Sequence, residues 1–172
     1  DGNFGKCNPK NKKNFRTRCS ALISKKNNNF LIDSSPDIKS QLLKSKIKSI
    51  DKIFYTHAHA DQTHGINELR VFYLKKRKKL DVFADNETKK YLLKSFDYCF
   101  RDSFDYPATL RINNLKKKYR YKDQNDQITL DAISVQHGLI KSICYIINKK
   151  CAYVSDVNKI YEKDLNKFTN LK

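Results

Sequence analysis

Short apolar runs, bounded by polar or turn residues, recur along the chain and predict β-strands. The runs at 19–24 and 29–33 flank a polar stretch at 25–28, an arrangement that indicates a β-hairpin. Runs of the same kind follow at 53–56, 80–84, 128–135, 142–147 and 151–154. The run at 53–56 stands directly before a group of histidines, as expected of a buried strand that ends at a site.

Between these runs, apolar residues recur at helical spacing. Ile38, Leu42 and Leu43 follow Pro36 and predict a helix of about three turns. The same spacing predicts helices that begin at Gly65 and that cover 87–96 and 160–168.

Two segments carry neither pattern. Residues 1–18 are polar and basic and contain turn signals, so they predict an irregular loop. Residues 97–125 are aromatic and charged without a clear period, which predicts an insertion or a lid. The remaining alternation of strands and helices predicts an α/β or mixed layered fold.

Length and composition are those of one globular domain. The chain has 172 residues, 39% of them hydrophobic, and no run approaches the ~20 apolar residues of a membrane-spanning helix. No apolar stretch behind a basic start suggests a secretory signal. Five cysteines without a Cys-x-x-Cys pair suit free thiols rather than a zinc ribbon. We therefore predict a cytoplasmic protein that does not engage a membrane.

The net charge of +18 is compatible with a polyanionic partner. However, only seven of the 36 basic residues are Arg. Lys dominates together with Asn and Ile, a bias typical of AT-rich genomes, and Lys binds phosphate as a point charge rather than as a fork. The charge thus permits a nucleic-acid substrate but does not favour one.

Three of the four histidines lie in one segment, 57–64, which reads His-Ala-His-Ala-Asp-Gln-Thr-His. Its polar side chains emerge at the end of a predicted strand, where open α/β sheets place their sites. In a tight turn His57 and His59 can aim imidazoles at one point, with the Asp61 carboxylate beside them. This donor set suits zinc, iron or manganese. His64 either joins the set or only caps the next helix.

Two later strand ends carry side chains of the same kind. His137 follows the run at 128–135, and Asp156 follows the run at 151–154. One histidine after a strand is usually structural, but three strand ends with metal-type side chains together predict a metal site. A serine triad built on Ser155 is disfavoured, because the chain has no Gly-x-Ser-x-Gly elbow.

These motifs resemble the metallo-β-lactamase fold superfamily, and most closely its branch of PhnP-like phosphodiesterases and metal-dependent hydrolases. The resemblance rests on His-x-His-x-Asp, on the later His-Gly and Ser-Asp pairs, and on the stretches at 16–20, 31–37 and 64–70. It implies a four-layer αβ/βα sandwich with a metal centre at one edge. Residues 1–172 would form a single domain that lacks its first strand and its C-terminal elements.

The resemblance also implies roles for single residues. His57, His59 and His137 would hold a first divalent metal, Asp61 would belong to a second, and Asp156 would bridge both. Asp61 and Asp156 are thus the candidate catalytic carboxylates, and a metal-bound hydroxide would attack the substrate. Zinc is the expected metal and manganese the alternative, with one or two ions.

A substrate phosphate would need a positive partner, and Arg70 is the candidate. The basic loop at 10–18 is a weaker one, because it also has the composition of a solvated surface.

Two features depart from the family pattern, and both concern the second metal. Gln62 stands where the family has a His, and a late His of the family would fall beyond residue 172. Three outcomes stay open: a site with one ion or a weakly held second ion, substitution by His64, or a degenerate relative without catalysis.

The resulting prediction is a metal-dependent phosphoric diester hydrolase acting on small cyclic or nucleotide-like phosphodiesters. One rival is a tRNA-processing nuclease of the same superfamily, which would need a long arm that only 97–125 could provide. The other is a metal-binding relative without catalysis. The family resemblance is compatible with a homodimer, although the sequence identifies no interface.

Overall fold

Two β-sheets packed face to face form the centre of the molecule. The computed structural model describes residues 2–26, 28–123 and 126–171. Within these ranges helices cover the outer face of the first sheet, and a C-terminal segment covers the outer face of the second. This mixed α/β architecture of two flanked sheets confirms the predicted fold class.

The first sheet has five strands in sequential order: β1 (Ala21–Lys25), β2 (Asn28–Ile32), β3 (Lys52–Phe54), β4 (Leu80–Ala84) and β5 (Leu110–Asn114). β1 and β2 form the predicted antiparallel hairpin, whereas β2 to β5 run parallel. Parallel neighbours require crossover connections, which helices commonly supply. Consequently the carboxyl ends of β2, β3 and β4 meet at one edge of the sheet.

The crossovers contain five short helices: α1 (Ile38–Lys44), α2 (Ala60–Thr63), α3 (Arg70–Lys76), α4 (Asn86–Ser95) and α5 (Asp97–Phe100). A 3-10 turn at Ile66–Leu69 leads directly into α3. α1 is shorter than the sequence predicts, since the chain turns out of it and Lys46 takes a positive φ of 55°. None of the helices within the described ranges has the length and apolarity needed to cross a bilayer.

The second sheet is antiparallel throughout, with β6 (Lys118–Asp123), β7 (Asp126–His137), β8 (Ile140–Ile147) and β9 (Cys151–Tyr153) in order. Five successive residues of β8, 142–146, are buried because both faces of this strand are covered. After β9 come α6 (Glu162–Leu165) and a 3-10 turn at Asn166–Phe168, where the sequence predicts one helix.

Alternation along the strands divides the apolar residues between layers. Ile53 and Tyr55 point to the helices, whereas Phe54 between them points to the second sheet. Phe54 there contacts the rings of Tyr119 and Tyr145 edge-on. Three apolar clusters therefore separate four layers, the last of which is the thin C-terminal segment.

The prediction of an insertion or lid over 97–125 is wrong for the part of it that the structure describes. This stretch supplies α5, β5 and β6, one strand to each sheet. Its β6 does carry the two-residue alternation of a strand, with Tyr119 buried and Lys118 and Arg120 exposed. The alternation lasts only a few residues, and the abundance of aromatic and charged residues hides it. Residues 124 and 125 of the predicted segment lie outside the described ranges.

Candidate metal centre

Three chain segments from two sheets meet at one end of the sandwich. The loop after β3 and the helix α2 carry His57, His59 and Asp61. His137 is the last residue of β7, and Asp156 follows β9. A backbone hydrogen bond from Ile143 N to Thr56 O, 2.9 Å long, ties the second sheet to the first directly beside this site. The predicted convergence of strand ends is therefore present.

His57, His59 and His137 form a compact group. Each offers one ring nitrogen, and these three atoms all lie within 4.8 Å of one another. His137 Nε2 is 3.3 Å from His59 Nδ1. Two nitrogens that bind one tetrahedral zinc ion at ordinary bond lengths are about 3.3 Å apart. His57 is buried, His137 is half-buried and His59 is exposed, so the group opens to solvent on one side.

A buried hydroxyl sets the orientation of the His57 ring. Thr56 Oγ1 donates a hydrogen bond to Asp33 Oδ2 at 2.9 Å and lies 3.0 Å from His57 Nδ1. Because the Thr56 proton is used on Asp33, the oxygen is free to accept a proton from Nδ1. This tautomer leaves the lone pair on Nε2, the atom that faces the other histidines.

Burial keeps His57 in the neutral form that metal binding requires. Burial, together with the neighbouring His59 and against the opposing effect of Asp156, lowers the pKa of His57 to about 4. Nε2 of His57 is also buried without a hydrogen-bond partner among the described residues. A divalent ion bound to Nε2 would give this buried lone pair the partner that it lacks.

The two carboxylates meet at the side-chain amide of Gln62. Gln62 Nε2 donates to Asp61 Oδ2 and to Asp156 Oδ2, each at 3.1 Å. Asp156 Oδ2 is also 3.6 Å from His57 Nε2, so this carboxylate borders the histidine group. Gln62 is fully buried, and its Oε1 has no partner within the described part of the chain.

His64 is not brought to the group. Its Nε2 lies 2.9 Å from the hydroxyl of Tyr91 on α4, and its ring packs edge-on against Phe96. Substitution of a missing ligand by His64 therefore has no support in this structure, and the residue lines the helical layer instead. The alternative that His64 caps the next helix is not supported either, because the following 3-10 turn has Gly65 at its N-cap and no side-chain capping bond.

Arg70 lies at the start of α3 with its guanidinium stacked on Tyr106, 4.2 Å from the ring centroid. At this distance the ring attracts the guanidinium by a cation–π interaction. Its Nε is buried and has no partner in the described residues. A contact with substrate stays a prediction.

The residues next to the Nδ1 side of the His57 ring were not predicted from the sequence. Thr56 and Ser142 border its Nδ1, with Ser142 Oγ 3.4 Å away, and Asp33 accepts two hydrogen bonds from Thr56. Asp33 could have been found, because it directly follows β2, the strand that pairs with β3, and so lies at the same edge of the sheet. Nothing in the local pattern singles out the two hydroxyl residues.

The fold and the site define the class of protein. A family model described as a beta-lactamase superfamily domain matches residues 28–171, so the chain belongs to this family. Its members are metal-dependent hydrolases, and the histidine group described above offers the ligands that such a centre uses.

Comparisons with particular proteins give one curated relative and several solved structures. The chain is 28% identical over 160 residues to an octanoyltransferase of Porphyromonas gingivalis (strain ATCC BAA-308 / W83), a match that covers 92% of the chain and 32% of that protein. A diphosphatase of the PhnP family superposes with a TM-score of 0.78 at 24% identity, over 92% of this chain and 59% of that one.

Two further structures share the fold. The short form of human tRNase Z has a TM-score of 0.62 at 18% identity, over 86% of this chain and 66% of that one. Zinc-bound PqqB from Methylobacterium extorquens has a TM-score of 0.63 at 15% identity, over 91% of this chain and 58% of that one. The chain thus spans about a third of the curated relative and about three fifths of the PhnP-family structure.

Proposed function

We propose that this chain carries the metal centre of a hydrolase that cleaves phosphodiesters in small molecules, cyclic or nucleotide-like ones in particular. The observation that carries the proposal is the convergence of His57, His59 and His137, with the Asp156 carboxylate beside them. Zinc is the expected metal, because three imidazoles and a carboxylate are ligand types that it prefers, and manganese is the alternative.

In this proposal the histidines bind the metal and the carboxylates transfer protons. A divalent ion, when bound, supplies polarisation of a phosphoryl oxygen and activation of water. His57 stays neutral because burial lowers its pKa. Its Nε2 keeps the lone pair because Nδ1 carries the proton and donates it to Thr56 Oγ1. Asp61 and Asp156, held by Gln62, are the carboxylates that can accept a proton from an attacking water.

Small substrates are favoured over large ones by the fold. The stretch that could have served as an arm for gripping a large RNA instead forms α5, β5 and β6 in the described residues. The motifs resemble the PhnP-like branch, and the PhnP-family diphosphatase supports a phosphorus-centred reaction.

Acyl transfer is not proposed. The octanoyltransferase is about three times as long as the matched segment, so its named activity need not lie in the region shared with this chain. The residues that meet at the site are imidazoles and carboxylates arranged as metal ligands.

The test is hydrolysis of bis(p-nitrophenyl) phosphate and of a panel of cyclic nucleotides, with and without added zinc or manganese. We expect metal-dependent turnover that His137→Ala reduces by at least about a hundredfold. His64→Ala is the matched control, since this histidine bonds to Tyr91 instead, and it should retain the activity. A folded, metal-loaded protein that hydrolyses no phosphodiester would contradict the proposal.

The second candidate is a tRNA-processing nuclease, which the likeness to tRNase Z favours and the net charge of +18 permits. Incubation with a precursor tRNA that carries a 3′ trailer separates the two. Cleavage of this RNA without turnover of small diesters would establish the nuclease, and turnover of small diesters alone would exclude it.

A further inference from the structure

We infer that Gln62 limits this centre to one metal ion per chain, because its side-chain amide takes the place between Asp61 and Asp156 that a second ion would need. The inference rests on the proposed function, and it decides between outcomes that the sequence leaves open.

The side-chain amide of Gln62 occupies the position between the two carboxylates where a cation would otherwise bind. Both hydrogens of Gln62 Nε2 point to carboxylate oxygens, one to Asp61 and one to Asp156, at 3.1 Å each. An amide nitrogen has no lone pair to offer a metal, since it is a donor only. The two carboxylates therefore converge on a hydrogen-bond donor, and an ion between them would have to displace it.

Rotation of the amide does not remove the obstacle. Turning Oε1 toward the carboxylates would give up both hydrogen bonds and set an oxygen against two negative groups. It would also place the two N–H donors where Oε1 lies now, a buried position without a partner in the described residues. Buried donors without partners are costly, so the observed orientation is the stable one.

The other candidate for a replacement ligand is absent from the site. His64 hydrogen-bonds to Tyr91 and packs against Phe96, and it is not one of the histidines whose ring nitrogens converge. Gln62 does not affect the binding position of the first metal ion, because His57, His59 and His137 converge independently of it.

Metal content per chain, measured by elemental mass spectrometry after equilibrium dialysis against zinc, tests the inference. The wild-type chain should hold one ion, and Gln62→His should hold two, because an imidazole returns a lone pair to that position. Gln62→Glu is a second, nearly isosteric variant that replaces the donor by a carboxylate oxygen, and it should also take up a second ion. His64→Ala should stay at one.

The outcomes separate the inference from the proposed function. Two ions in the wild-type chain, or one ion in folded Gln62→His and Gln62→Glu, would overturn the role of Gln62 and leave the hydrolase proposal standing. No ion in the wild-type chain, with zinc or with manganese, would remove the proposed function itself. The wild-type measurement decides the number of ions even if a variant fails to fold.

Discussion

At the scale of single residues, a buried relay from Asp33 through Thr56 governs the orientation of His57. Asp33 Oδ1 accepts a hydrogen bond from Thr56 N at 2.8 Å, and Oδ2 accepts one from Thr56 Oγ1 at 2.9 Å. Ligand histidines generally depend on such a partner on the second ring nitrogen. The hydroxyl of Thr56 thus positions the ring of His57, a candidate metal ligand.

Replacing this hydroxyl tests the relay. Thr56→Val keeps the shape of the side chain but removes the acceptor for Nδ1, so we expect zinc affinity to fall about 10–100-fold. Thr56→Ser retains the hydroxyl and is the matched control, with affinity close to that of the wild-type chain. Competition with a chelating dye measures both. Equal affinity of the Val and Ser variants would show that the hydroxyl does not orient His57.

Asp33 predicts a pH dependence of stability. Burial raises its pKa from 3.8 to about 8, although hydrogen bonds from Thr56 oppose the shift. In the metal-free protein the folded state therefore keeps a proton that the unfolded state releases. This contribution to the free energy of unfolding is complete below pH 3.8 and is lost as pH rises through about 8.

Asp33→Asn should remove that dependence. Asn tolerates the positive φ of 60° at this position and does not titrate. Between pH 6.5 and 8, above the ordinary range of His57, the wild-type chain should lose about 1.4 kcal/mol per pH unit relative to the variant. Urea unfolding in the presence of a chelator measures both profiles. Parallel profiles would mean that Asp33 is already ionised when buried.

At the scale of elements, the helix α2 is held against the loop after β2 by a close approach at Gly65. Gly65 N donates to Ser34 O at 2.8 Å. A Cβ on Gly65 would lie 2.0 Å from Ser35 O and 2.6 Å from Ile38 Cγ2. Neither a backbone oxygen nor the start of α1 can yield that far without moving its element.

Gly65→Ala should therefore destabilise the chain by at least about 1–3 kcal/mol. Because α2 begins directly after His59, the displacement should weaken metal binding as well. Urea unfolding and zinc titration provide the two readouts. A Gly65→Ala chain as stable as the wild-type chain would mean that the turn has more room than this packing allows.

Elements with a sustained pattern could be predicted from the sequence, and short or mixed ones could not. The hairpin of β1 and β2 and the strand β4 lie where the apolar runs place them. β5 and β6 were missed because each alternates over only five or six residues among aromatic and charged neighbours. A pattern of that length does not separate a strand from a loop.

At the scale of the whole molecule, the site exists because two sheets of different topology share one end. His57 and His59 follow a parallel strand of the first sheet, whereas His137 ends an antiparallel strand of the second. Apolar packing of Phe54 against Tyr119 and Tyr145 holds the sheets face to face. The candidate metal centre thus depends on both sheets of the sandwich and not on either sheet alone.

The candidate site residues could be predicted from the amino-acid sequence, because histidines and carboxylates follow the predicted strands in a pattern typical of a family of metal-dependent hydrolases. Local periodicity encodes burial and strand ends, so that much follows from the chain alone. The contacts of His137 with His59, of His64 with Tyr91 and of Gln62 with the two carboxylates could be seen only in the folded chain. These contacts depend on how segments that are far apart in the sequence are placed relative to one another, and packing between the layers sets that placement.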